Sequence, residues 1–357
     1  MTRTSNRLLI AASGTGGHLF PALAVAERLP DREIEWLGVP DRLEQTLVPK
    51  TYPLHTVRIE GFQGRPGLTT LKIFFRQIRA IFQVYNLLKQ RQIGAVFTTG
   101  GYIAGPAILA ARLRGIPVIL HESNYIPGKV TRFLSRFCDT VALGFAGTAD
   151  YLKGARTLWV STPVREQFHS PRPIDLPIPD SVPLIVVAGG SQGAVALNEL
   201  VRAAAPRWME MGAYVIHLTG ENDRHADRLQ HPHYFPLPFS DNMAGLWQRA
   251  DLAVSRSGAG TLTELAITRT PSILVPYPHA AEDHQFYNAK VFALADAAYL
   301  YRQEKLTPEQ LIDAVAELLR SPDRLAEMAD NAGKLAVIDS ADRLADLLRR
   351  VMERPGS

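Results

Sequence analysis

Three times along this chain a short apolar run breaks into a glycine-rich turn and then a helix-forming segment. Leu8–Ala12 leads into Ser13-Gly14-Thr15-Gly16-Gly17-His18, Leu184–Ala188 into Gly189-Gly190-Ser191-Gln192-Gly193, and Leu252–Ser255 into Arg256-Ser257-Gly258-Ala259-Gly260-Thr261. Runs of this length with no polar alternation read as strands buried on both faces, which means parallel sheets covered by helices. Further strands are expected at Glu33–Gly38, Ala95–Thr99, Pro117–His121, Tyr214–Leu218 and Ser272–Val275, and helices at Pro21–Leu29, Leu68–Lys89 and Gly105–Leu113. Strand, turn, helix and parallel strand form the βαβ unit, so the expected class is α/β with doubly wound, Rossmann-like sheets.

A length of 357 residues exceeds what one core usually holds, and the pattern restarts after Thr162–Pro183, a stretch carrying Pro163, Pro171, Pro173, Pro177, Pro179 and Pro183. The expected organisation is residues 1–162 as one domain, 163–340 as a second, and 341–357 as an amphipathic helix able to pack on either. Open α/β sheets bind ligands beyond the carboxyl ends of their strands, so the two domains are expected to face each other across a cleft that holds the site.

The single cysteine, Cys138, excludes an internal disulfide and a cysteine-cluster metal site, and it fits a reducing compartment. No apolar run reaches the length of a membrane span, and the run after the basic start is too short for a secretory signal. The net charge of +4 hides an asymmetry. From Gly61 to His121 there is no Asp or Glu, whereas Arg65, Lys72, Arg76, Arg79, Lys89, Arg91, Arg112 and Arg114 give that window +8 and leave −4 for the remainder. An anionic partner on one face of the first domain is expected.

Glycines in such turns let backbone N–H groups approach an anion, and the helix N-terminus adds a favourable dipole. The first loop departs from the dinucleotide fingerprint because residue 19 is Leu, and Asp41, the acid such a site would want, comes only after Pro40; a tight turn is its other reading. In the second loop Ser191 offers a hydroxyl and Gln192 an amide to a phosphate. In the third, Glu264 presents two acceptor oxygens suited to a ribose diol, or else complements the helix dipole, and Arg256 is either functional or a solvated or salt-bridged side chain. Together the three loops point to a phosphate or a sugar nucleotide. The polar stretch Pro276–Asn288 suits sugar hydroxyls, and without metal-ligand spacing or an Asp-x-Asp motif no metal is expected.

Read in order, GTGGH at 14–18 with FPALA at 20–24, GGY at 100–102 with GP at 105–106, HESN at 121–124, GGSQGA at 189–194, SRSGAGT at 255–261 with Glu264, and DHQFYNA from Asp283 resemble the MurG family of peptidoglycan N-acetylglucosaminyltransferases. The resemblance implies a GT-B fold, with the acceptor in the N-terminal domain and the donor in the C-terminal one. It implies inverting transfer of N-acetylglucosamine (GlcNAc) from UDP-GlcNAc to lipid I, the undecaprenyl-diphospho-muramoyl pentapeptide, to form lipid II, with no cofactor. By motif match, Glu264 holds the ribose, the backbone near Ser240 and Met243 frames the uracil, and Ser191, Gln192 and the helix after Gly258 serve the pyrophosphate. Gln285 and Asn288 contact the GlcNAc hydroxyls, Arg165 lies at the donor-site hinge, and Thr15, Gly16, Gly17 and Asn124 complete the UDP-GlcNAc-binding set. Ser161-Thr162-Pro163 stands where the family usually has Gly-Asn-Pro. Two relatives of the same fold remain as alternatives: an enzyme adding galactose to diacylglycerol and a UDP-GlcNAc 2-epimerase. A non-catalytic nucleotide-binding membrane protein is the third.

An inverting transfer needs a base for the acceptor hydroxyl. His18, at the end of a glycine loop, is the first candidate, with binding of the lipid diphosphate as its rival role, and Glu122 is the second. His121, His169, His217 and His225 read as satisfied core histidines and stay outside the chemistry. The segment Leu68–Phe82 places Lys72, Arg76 and Arg79 among Phe74, Phe75, Ile78 and Phe82 at near-helical spacing. That is a membrane-surface signature, and an ordinary core-facing helix with a basic outer face is the plainer reading. The resemblance and the acid-free window favour docking on anionic phospholipid at the cytoplasmic face of the inner membrane, with other cell-wall synthesis proteins as further partners. Nucleic acid is not expected, because no recognisable nucleic-acid module accompanies the basic window.

Overall fold

The structure, a computed structural model, describes residues 5–59, 68–190 and 193–353; for residues 68–74 it gives the backbone course. The chain divides into two compact units, Met1–Arg165 with Asp339–Ser357, and Glu166–Ile338.

The first unit runs β1 (Arg7–Ala11), α1 (Gly16–Glu27), β2 (Glu33–Gly38), α2 (Glu44–Leu47), β3 (Leu54–Thr56), α3 (Leu68–Gln90), β4 (Ala95–Thr98), α4 (Ala104–Leu113), β5 (Val118–Glu122), α5 (Lys129–Leu134), β6 (Thr140–Leu143) and β7 (Thr157–Trp159). Its strands form one parallel sheet in the order β3-β2-β1-β4-β5-β6-β7. The apolar runs behave as expected for a sheet covered on both faces: Leu8, Ile10 and Trp36 enter one core, and Leu9, Ala11 and Leu37 the other. The helix expected from Pro21 begins at Gly16 instead, because the last loop residues already wind into its first turn and Pro21 is carried inside it.

The second unit runs β8 (Leu184–Ala188), α6 (Val195–Glu210), β9 (Tyr214–Leu218), β10 (Tyr234–Leu237), α7 (Met243–Arg249), β11 (Leu252–Ser255), α8 (Ala259–Thr268), β12 (Ser272–Leu274), α9 (His284–Leu294), β13 (Ala298–Leu300), α10 (Pro308–Leu319) and α11 (Pro322–Lys334). Its sheet is also parallel, in the order β10-β9-β8-β11-β12-β13. The last helix, α12 (Ser340–Met352), belongs to the first unit. Leu344, Leu348 and Val351 form one stripe that completes the core beside α1, and Arg349 donates to the Asp31 carboxylate and to the Arg28 carbonyl.

Two histidines read as core are fully buried. His121 Nε2 lies 3.0 Å from the Ser161 carbonyl, so that nitrogen carries the proton. His217 lies between the Tyr234 hydroxyl and the Asn198 side-chain oxygen. The expectation fails for His169, which is exposed, and for His225, which is half-buried. Burial pushes His121 down to about 4 and His217 down to about 3. Both folded values lie below that of an unfolded imidazole, so the stability they contribute is complete above about pH 6.5 and is lost as pH falls toward their folded values. Between about pH 6.5 and pH 4.5 each is worth up to about 3 kcal/mol, and urea midpoints taken at about pH 7.5 and pH 4.5 should show the fall.

Candidate functional site

In each sheet the strand order reverses at one place, between β1 and β4 in the first unit and between β8 and β11 in the second. Connections leave such a point in opposite directions, which opens a crevice beyond the strand carboxyl ends. All three glycine loops follow strands at these two points, and Gly100-Gly101, after β4, makes a fourth turn there.

In the first unit Gly14 has φ 103, a conformation that favours glycine. Beyond it, Thr15 is the N-terminal boundary residue of α1, so the first-turn amides of Gly16 and Gly17 have no helical acceptor. His18 Nδ1 lies 2.7 Å from the Thr99 carbonyl, and the Thr99 hydroxyl donates back to the His18 carbonyl at 3.0 Å. A carbonyl can only accept, so Nδ1 carries the proton and Nε2 keeps its lone pair. Gly101, with φ 74, comes so close that an added Cβ would sit 3.5 Å from His18 Nε2. Its lack of a side chain keeps that nitrogen uncrowded.

The residue holding this loop in place is Glu44, which the sequence offers no reason to single out. It is fully buried and accepts from Ser13 Oγ at 2.5 Å, Val39 N at 2.7 Å and Gly14 N at 3.2 Å. Gly38 makes room for it, since a Cβ there would lie 2.7 Å from Glu44 Cγ.

Glu122, the second candidate base, is densely hydrogen-bonded. One carboxylate oxygen accepts from Asn124 N at 3.1 Å and Asn124 Nδ2 at 3.3 Å; the other accepts from Gly128 N at 3.1 Å and Thr131 Oγ1 at 2.6 Å. Four donors on a buried carboxylate make it the anchor of the loop between β5 and α5, with little capacity left for a substrate proton. Asn124 is half-buried and tied to that anchor. Ser161 has φ 65, so the position where the family usually carries glycine keeps a left-handed backbone here with serine. The Arg165 guanidinium lies 4.3 Å from the centre of the Phe20 ring.

In the second unit Gly190 and Gly193 take φ 94 and 73, and a Cβ on Gly193 would come within 2.6 Å of the Thr219 carbonyl. Ser191 and Gln192 lie outside the described residues. Gly258 is the N-terminal boundary of α8, and no described residue lies within 4 Å of where its Cβ would be. Half-buried Glu264, one turn further on, accepts from Trp247 Nε1 at 3.4 Å. Ser240 Oγ accepts from Asn242 N, and Asn242 caps α7 ahead of half-buried Met243.

Arg256 is not solvated, and no salt bridge to it is formed among the described residues. It is buried and donates to the Val275 and Pro276 carbonyls, both at 3.0 Å, and to Gln303 Oε1 at 2.5 Å. Burial lowers its guanidinium to about 10, still charged at neutral pH. The structure makes Asn288 a brace: it is fully buried, with Nδ2 donating to the Ser257 carbonyl at 3.2 Å. Gln285 is half-buried and better placed for a ligand. Its Oε1 accepts from Tyr277 N at 2.9 Å, which orients the amide nitrogen away from that bond. Among the described residues no group of three or more His, Cys, Asp or Glu is placed to hold a metal ion.

On α3 the expected apolar face is divided. Ala80, Val84 and Leu88 are buried, Ile78 is half-buried, and Phe75, Arg76, Arg79 and Phe82 are exposed, both phenylalanines at 62%. The side chains of Lys72 and Phe74 lie outside the described residues. Among the described residues no helix is long and apolar enough to cross a membrane.

Residues 8–143 match the glycosyltransferase family 28 N-terminal domain, and residues 184–344 match the glycosyltransferase family 28 C-terminal domain. The UDP-N-acetylglucosamine--N-acetylmuramyl-(pentapeptide) pyrophosphoryl-undecaprenol N-acetylglucosamine transferase of Microcystis aeruginosa is 73% identical over 354 residues, covering 99% of each chain. The enzyme of the same name from Gloeothece citriformis is 67% identical over 349 residues, covering 98% of this chain and 97% of its own. Among solved structures, MurG of Acinetobacter baumannii superposes with a TM-score of 0.76 at 31% identity, covering 96% of this chain and 99% of that one.

Proposed function

The chain belongs to glycosyltransferase family 28, and from that premise we propose that it moves GlcNAc from UDP-GlcNAc to N-acetylmuramyl-(pentapeptide) pyrophosphoryl-undecaprenol, lipid I, to form lipid II. The observation that carries this reading is the 73% identity, over 99% of both chains, to an enzyme of that name. The geometry of each unit suits its share of the reaction.

In the first unit His18 Nε2 takes the proton of the acceptor hydroxyl as its oxygen attacks the anomeric carbon. The Thr99 carbonyl holds the ring in place. The amides of Gly16 and Gly17 at the start of α1 bind the acceptor diphosphate, with Thr15 beside them, while Glu122 keeps the Asn124 loop in shape. In the second unit Gln285 donates to a sugar hydroxyl, Glu264 accepts from the ribose diol, and the backbone at Ser240 and Met243 borders the base. The C–O bond to UDP breaks as the new bond forms on the opposite face, inverting the anomeric centre. The charge that develops on the departing phosphate falls to the α8 amides after Gly258 and to the loop containing Ser191 and Gln192. Arg165 and Asn288 act by positioning, the first against Phe20 and the second behind Ser257.

The test is transfer of labelled GlcNAc from UDP-GlcNAc, and of galactose from UDP-galactose, to lipid I and to diacylglycerol in mixed micelles containing EDTA. GlcNAc on lipid I is the expected product. Galactose on diacylglycerol, or no transfer to either acceptor, would overturn the reading.

The exposed pairing of Phe75 and Phe82 with Arg76 and Arg79 supports peripheral docking of α3 on anionic phospholipid at the cytoplasmic face of the inner membrane, where a lipid-linked acceptor is met. Arg76→Glu with Arg79→Glu should weaken binding to phosphatidylglycerol vesicles about 30-fold at low salt, taking about 1 kcal/mol per lost basic contact. Vesicle flotation checks this, and unchanged binding would remove α3 from the membrane face.

A further inference from the structure

Two consecutive residues that are not glycine, Glu282 and Asp283, sit in the left-handed region, with φ 52 and 56, directly ahead of Gln285. L-residues rarely hold that conformation side by side, because each brings its Cβ against the following carbonyl, so surrounding contacts must fix it. Contacts on both sides of the turn help to do so. Asp283 N donates to the Ala280 carbonyl at 2.8 Å, His284 Nδ1 donates to the Ala281 carbonyl at 2.9 Å, and Arg302 reaches in from beyond β13 to donate to Asp283 Oδ2 at 2.6 Å. The first two are local to the turn; Arg302 adds a tie from far along the chain.

The same guanidinium lies 3.7 Å from the centre of the Phe286 ring. It therefore grips the chain two residues before Gln285 and one residue after it. The neighbouring Gln303 receives Arg256 Nη2 at 2.5 Å, so the segment after β13 braces both the α8 loop and this turn. An ion pair whose side chains are 40% and 32% exposed adds little to global stability, and its consequence is local.

We propose that Arg302 is a positioning residue for the donor sugar: by pairing with Asp283 and stacking on Phe286 it sets the strained turn from which Gln285 faces the transferred hexose. The inference rests on the reading of Gln285 as a donor-sugar contact. Arg302 does not touch the reacting atoms, and UDP alone does not need it.

The experiment compares Arg302→Met, Arg302→Lys, Asp283→Asn and the double variant Arg302→Met/Asp283→Asn with the full-length enzyme, measuring kcat, KM for UDP-GlcNAc and the inhibition constant of UDP. Gln285→Ala is measured alongside. Displacing a positioned sugar contact is expected to lower kcat/KM for the donor about 10-fold in Arg302→Met while UDP inhibition stays within about twofold. Arg302→Lys, which keeps the charge, recovers part of the loss. Asp283→Asn falls in the same direction, and the double variant is no worse than Arg302→Met, because both remove one contact.

A donor kcat/KM unchanged in Arg302→Met, or UDP inhibition weakened in parallel with it, overturns the proposal while leaving the reading of Gln285 intact if Gln285→Ala is impaired. If Gln285→Ala is itself without effect, the sugar-site reading fails and the role of Arg302 fails with it.

Discussion

Replacing His18 by alanine is expected to lower kcat about 10²–10⁴-fold, the usual contribution of a positioned general base, with UDP binding to the second unit unchanged. The expectation rests on which ring nitrogen is available. The Thr99 carbonyl at 2.7 Å claims the Nδ1 proton, so Nε2 is the acceptor, and the missing side chain of Gly101 leaves it uncrowded. A histidine held in that tautomer can take a hydroxyl proton without turning its ring. The rival role, binding the acceptor diphosphate, makes a different kinetic prediction. It would raise KM for lipid I and leave kcat at saturating acceptor close to that of the parent enzyme. Steady-state kinetics with both substrates varied separates the two roles.

Glu122 shows why residue type and place in the chain did not settle the base from sequence. A glutamate at the end of β5, followed by Ser123 and Asn124, has the chemistry of a base and the location of one. Only the coordinates reveal four donors converging on its carboxylate. Asn288 is a second case, since its full burial and the bond from its Nδ2 to the Ser257 carbonyl are visible only in the fold. Glu44 is the converse case. Its partners Ser13, Gly14 and Val39 are brought together by the sheet, and nothing periodic or motif-like marks the residue.

The strands were legible where burial on both faces leaves a mainly apolar run, as in β1, β8, β9 and β11. They were not legible at the sheet edges. β3 and β7 are three residues each and partly exposed, and β10 tolerates Pro236 because an edge strand need not donate on its outer side. The packing of α12 on the first unit was also open in the sequence. Its apolar stripe specifies that it must cover a core, and the charge pairs of Arg349 with Asp31, Arg32 with Glu353 and Arg28 with Asp342 match it to the end of α1.

Glu264→Ala is expected to lower kcat/KM for UDP-GlcNAc about 10²–10⁴-fold, since two hydrogen bonds from a ribose diol to an ionised acceptor are worth about 1.5–3 kcal/mol each, before allowance for coupling between them. The side chain stands in the second turn of α8, behind the helix start proposed for the pyrophosphate, and the Trp247 indole donates to it at 3.4 Å. Buried Trp247 thus fixes the carboxylate from its own side. A plain helix-dipole role predicts a different outcome. Glu264 would then contribute about 0.3–1 kcal/mol to stability and nothing to the choice of sugar, so the variant would lose a little in Tm and keep its donor kinetics. The decisive comparison uses a donor lacking the 2′-hydroxyl. The parent enzyme should use 2′-deoxy-UDP-GlcNAc less well than UDP-GlcNAc, because the unpaired carboxylate oxygen is left without its partner, whereas Glu264→Ala should treat the two donors nearly alike. Glu264→Gln keeps one acceptor oxygen and should fall between them. Equal discrimination in the parent and in Glu264→Ala would place the ribose elsewhere on the second unit.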